Sequence, residues 1–109
     1  MTEQLDALGR YSGPATLILS SLAGGAKHGY ALMQDIEAFA GVTLRPGTLY
    51  GALSRLEGMG LIAALEGDGR RRPYRLTEPG AAALDVQLSA QRRVCDVGLQ
   101  RLATEWEIS

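Results

Sequence analysis

Apolar residues recur at helical spacing most clearly between Leu44 and Ile62, in LRPGTLYGALSRLEGMGLI. Leu49, Ala52, Leu53, Leu56 and Met59 fall at i, i+3, i+4, i+7 and i+10, which puts one apolar stripe on an α-helix. Pro46 suits the first turn, because its φ is already helical and its missing N–H has no partner there anyway. Gly58 and Gly60 flank Met59 and stop the helix. The opposite face carries Thr48, Tyr50, Gly51, Ser54 and Arg55, with no acid before Glu57. A short helix with a small, hydrogen-bonding outer face can enter a major groove. The same stripe also suits a helix that only builds a core, so the flanking segments decide.

Gly13-Pro14 opens a helix over about Pro14 to Ala23, with Ala15, Ile18, Leu19 and Leu22 placed to face inward. Gly24-Gly25 ends it. A second helix runs from about Tyr30 to Ala40, with Leu32, Met33, Ile36, Phe39 and Ala40 as its buried stripe and Gly41 as its C-cap. After the third helix, Leu61 to Leu65 is short, apolar and bounded by glycine, which predicts a strand. Gly67-Asp68-Gly69 marks a turn. In the returning strand, Tyr74 and Leu76 alternate with Pro73 and Arg75. Thr77 can cap a last helix, with Pro79 in its first turn. That helix runs to about Glu107, and Leu84, Leu88, Gln91, Cys95, Gly98 or Leu99, Leu102 and Trp106 form its seam. A seam this long needs a partner, and a second copy is the simplest one.

The order predicts a mainly α fold with one small β-hairpin: a winged helix-turn-helix with a long C-terminal dimerisation helix. Residues 1–12 form an arm or short helix, 13–77 the winged domain and 78–109 the dimerisation helix. At 46% hydrophobic residues the chain can pack a core. There is no apolar run of membrane-spanning length and no signal-peptide pattern, so a cytoplasmic protein without a membrane partner is expected. One cysteine excludes an internal disulfide, and one histidine without a ligating neighbour argues against a metal site. No nucleophile with a base, paired carboxylates or phosphate loop points to an enzyme, and no cofactor is expected. The net charge of −1 hides an uneven distribution. Arg45 to Arg75 holds six arginines against three acids, and the local field decides where a polyanion docks.

Three segments resemble the marked segments of the PadR-like transcriptional regulators: HGYALMQDIE, LRPGTLYGALSRLEGMGLI and GRRRPYRLTEPG. The likeness runs from about Pro14 to Leu84. It implies a homodimeric, ligand-responsive repressor, and the single trailing helix is similar to the compact subgroup of that family. Arg45 stands where the family usually has Ser or Thr, and Gly51 where it usually has Pro. The first change removes a capping oxygen, worth about 1 kcal/mol. The second bears on which bases are read.

For double-stranded DNA, read as an inverted repeat, the groove-facing candidates are Thr48, Tyr50, Ser54 and Arg55. Tyr50 has a second role open to it, covering the base of the wing. Lys27, His28 and Tyr30 begin the second helix, where backbone N–H groups favour a phosphate; an ordinary surface histidine is the other reading of His28. Arg45 is a further phosphate candidate. Arg70, Arg71 and Arg72 form the wing tip, where three arginines beside a turn suit phosphate contact. Leu84, Leu88, Cys95, Leu99, Leu102 and Trp106 form the expected dimer interface. Between two such seams, Trp106 beside Gly98 could hold a planar aromatic effector. Its alternative is to anchor the helix end against Leu5 and Leu8 of the partner subunit. A winged-helix module that binds protein rather than DNA is the competing function.

Overall fold

The computed structural model describes residues 13–67 and 72–106. The expected N-terminal arm, Arg70 and Arg71 lie outside the described residues. Three helices, α1 (Gly13–Ala23), α2 (Gly29–Ala40) and α3 (Pro46–Gly58), precede a hairpin of β1 (Ile62–Ala64) and β2 (Tyr74–Leu76). The long helix α4 (Glu78–Glu105) follows.

The expected punctuation sets the helix ends. Gly41 adopts φ 67° at the end of α2, where its N–H bonds the Glu37 carbonyl. Gly60 takes φ 76° between α3 and β1. At the start of α4, the Thr77 hydroxyl accepts from the Gly80 N–H at 3.1 Å and donates to the Gly60 carbonyl at 2.7 Å. One side chain thus caps a helix and ties it to the turn before the wing, a contribution of about 1 kcal/mol.

The core gathers Ile18 and Leu22 from α1, Leu32 and Ile36 from α2, Leu49 and Leu53 from α3, and Ile62 from β1. The strands pair antiparallel, Ile62 with Leu76, Ala63 with Arg75 and Ala64 with Tyr74. A third segment completes the sheet. Tyr74 N–H donates to the Lys27 carbonyl at 2.9 Å, and Lys27 N–H to the Tyr74 carbonyl at 3.1 Å. The loop between α1 and α2 therefore holds the wing in place.

Several apolar positions depart from the expected stripes. Ala15, Phe39 and Ala40 are exposed, Phe39 to 52%. The chain leaves the helix at Gly41, before any layer covers the last turn of α2. Met59 caps α3 and is 68% exposed, because the helical phase that aligned it with Leu56 has ended. Leu84 is 6% exposed and belongs to the protomer's own core. It is thus covered by its own chain, and the exposed part of the expected seam begins at Leu88. From Arg92 to Trp106 every residue of α4 is exposed, about four turns of helix.

Candidate nucleic-acid interface

Helix α3 turns Leu49, Ala52, Leu53 and Leu56 into the core, which leaves Thr48, Gly51, Ser54 and Arg55 outside. Arg45 occupies the N-cap in extended conformation and makes no side-chain capping bond. It is exposed. Among the described residues, no acid pairs with Arg45, Arg55 or Arg72. Arg72, at the described edge of the wing, is exposed. Arg75 is also exposed, and its guanidinium lies 3.5 Å from the Leu76 carbonyl.

The start of α2 lies beside the start of α3. His28 caps α2, its Nδ1 accepting from the Ala31 N–H at 3.5 Å. Tyr30 is 63% exposed. Tyr50 is 38% exposed. Its phenol end lies over Gly29, where a Cβ would come within 2.5 Å of the hydroxyl oxygen and 3.0 Å of Cζ. Gly29 therefore seats Tyr50, because only a residue without a side chain leaves that space.

Lys27 does not join this surface. Its ammonium donates to the Ser21 carbonyl at 2.6 Å and the Gly25 carbonyl at 3.2 Å, and lies 4.0 Å from an Asp35 carboxylate oxygen. Two of its three donors are used by the carbonyls, and the carboxylate lies at ion-pair distance, which together turn it inward. The buried Ser21 hydroxyl donates to the same carboxylate oxygen at 2.6 Å. Sequence reasoning missed this cluster, since a lysine's destination depends on carbonyls that only the folded loop assembles. It also missed a shallow hollow between the two helix starts, lined by Tyr30, Met33, Pro46, Gly47 and Tyr50.

On α4, the exposed apolar residues include Leu88, Leu99, Leu102 and Trp106, and Cys95 is exposed beside them. Val86, Val94 and Val97 form a second exposed stripe that the seam did not include. Their spacing with Ala90, in steps of three and four, was the available signal. Among the described residues no helix is long and apolar enough to cross a membrane, and no group of His, Cys, Asp and Glu could hold a metal ion.

Three core helices, an edge hairpin held by the α1–α2 loop, and an exposed helix face next to the hairpin define a winged helix-turn-helix protein. The sequence profile of the Transcriptional regulator PadR-like family matches residues 18–86, and the chain belongs to that family. It is similar to Transcriptional regulator Rv3488 of Mycobacterium tuberculosis, 44% identical over 70 residues, which are 62% of this chain and 64% of that protein. It is similar also to the transcriptional activator GvpE2 of Halobacterium salinarum, 32% identical over 101 residues, 92% of this chain and 51% of that one. The curated relatives it matches are longer, and the chain spans between 23% and 64% of their lengths. Among solved structures, the PadR family transcriptional regulator from Eggerthella lenta superposes with a TM-score of 0.73 at 31% identity, covering 94% of this chain and 91% of that one.

Proposed function

We propose that the chain works as a homodimeric repressor that binds an inverted repeat in double-stranded DNA and is released by a small planar hydrophobic ligand. The observation that carries the DNA reading is the outer face of α3. Thr48, Ser54, Arg55 and the N-cap Arg45 are exposed with no acid paired to the arginines among the described residues. In this reading Thr48, Ser54, Arg55 and Tyr50 face base edges, while His28, Tyr30, Arg45 and the wing arginines hold phosphates. Lys27 is left out, its ammonium being held by the Ser21 and Gly25 carbonyls.

The test is titration of the protein against duplexes selected from a random pool, at several salt concentrations. Binding is expected to weaken steeply with salt. Arg72→Ala should lower the salt slope by about one unit while weakening all sequences alike. Binding that is indifferent to salt would favour a protein-interaction module instead. The sense of regulation is read from a reporter downstream of the selected site. A repressor lowers its output, whereas an activator, as GvpE2 is named, raises it.

The exposed face of α4 supports the dimer, and its single tryptophan supports the ligand. Trp106 is 72% exposed at the C-cap of α4. A second α4 laid along this face would bring its ring beside Leu99, Leu102 and the side-chain-free Gly98. A ligand in that space acts on DNA only if it binds one spacing of the two readers better than the other. Quenching of Trp106 fluorescence by a planar aromatic compound is therefore expected over the same concentration range as release of DNA. Quenching without release would leave a binding site but no switch.

A further inference from the structure

We infer that the hollow between the starts of α2 and α3 reads one thymine through its 5-methyl group; this deepens the DNA-binding reading and rests on it. The hollow is lined by Met33, Pro46 and Gly47 together with Tyr30 and Tyr50. It sits at the N-terminal end of α3, the end of a recognition helix that contacts base edges. No charged side chain lines it, while Arg45, the residue before Pro46, is exposed and unpaired with any acid among the described residues. The surroundings thus attract a polyanion, but the hollow itself offers a phosphate no cation. Of the groups that base pairs present in the major groove, the thymine methyl is the apolar one. An apolar hollow gains from covering that methyl, since both surfaces leave water. Met33 is unbranched and flexible, so its side chain can close on a small group.

Two glycines shape the site in different ways. A Cβ built on Gly47, one of the lining residues, meets nothing within 4 Å, so an alanine methyl there fits the fold and adds bulk at the lining of the hollow. A Cβ on Gly29 collides with the phenol end of Tyr50, the movable tip of a side chain, and would swing that lining residue aside. Neither change touches an arginine.

The experiment takes the full chain and a duplex selected from a random pool. Each thymine of one half-site is replaced in turn by deoxyuridine, which lacks only the methyl. One position is expected to lose about fourfold in affinity, the worth of one methyl group removed from water. In Gly47→Ala and in Gly29→Ala, the thymine and uracil duplexes should bind alike at that position. Both variants should keep the wild-type salt slope, and Gly47→Ala, whose Cβ meets nothing, should unfold at or above the wild-type temperature. If no uracil lowers affinity, or if the loss persists unchanged in Gly47→Ala, the hollow does not read a methyl and the inference is overturned. If the wild type binds no duplex in a salt-dependent way, the DNA-binding reading itself falls, and the hollow's role falls with it.

Discussion

Leu102→Asp is expected to scatter light as a monomer of 11.6 kDa at micromolar concentration, where the wild type gives twice that mass. The wild-type Leu102 is 40% exposed in the isolated chain, as is Leu88, and every residue from Arg92 to Trp106 is exposed. A helix end with that much bare apolar surface is stable in water chiefly when another surface covers it. In a two-fold dimer each substitution occurs twice, so two carboxylates enter one interface. Burying an unpaired charge costs several kcal/mol per ion, which outweighs the contribution of the leucines it replaces. The protomer fold should persist, because Leu102 is 40% exposed and lies outside the core cluster of the described residues. Far-ultraviolet circular dichroism should therefore be unchanged while the mass halves. DNA affinity should fall with it, since one reader holds one half-site where two held both. A wild type that scatters as a clean monomer would remove the dimer from the proposal altogether.

Gly80→Ala is expected to destabilise the chain severely, although helix propensity alone favours alanine by about 1 kcal/mol. Gly80 is buried in the first turn of α4, against the start of β1. A Cβ there would fall on the Leu61 carbonyl oxygen and come within 2.9 Å of its carbonyl carbon and of Leu76 Cδ1. The obstacle is backbone, and it is already engaged, because the Leu61 carbonyl accepts from the Thr77 N–H at 3.2 Å. Moving it would loosen that bond and the α4 cap together. Overpacking of this kind costs about 3 kcal/mol. For a domain of this size that corresponds to a fall of roughly 15 °C in melting temperature. Gly58→Ala serves as the control, since a Cβ there meets nothing within 4 Å. It should leave stability unchanged or raise it. Thermal unfolding followed by circular dichroism measures both, and equal melting temperatures would refute the packing account.

The ends of the helices and the identity of the strands were legible in the amino-acid order because they depend on interactions within about five residues. Pro46 at a first turn, Gly41 at φ 67° and Thr77 bonding the Gly80 N–H are such local devices. The outer face of α3 was legible for the same reason, since the spacing that buries Leu49 and Leu53 also sends Thr48, Ser54 and Arg55 outward. Burial at the edges was decided elsewhere. Periodicity marks a side of a helix, but only a neighbour brought from far along the chain covers it. Leu84 found one in the protomer core, and Phe39 did not. The fate of Lys27 rested on the Ser21 and Gly25 carbonyls and on the Asp35 carboxylate, which the turn after α1 and the packing of α2 bring together. Tyr50 took its place from the bare backbone of Gly29, twenty-one positions earlier, and no local pattern in either helix encodes that contact.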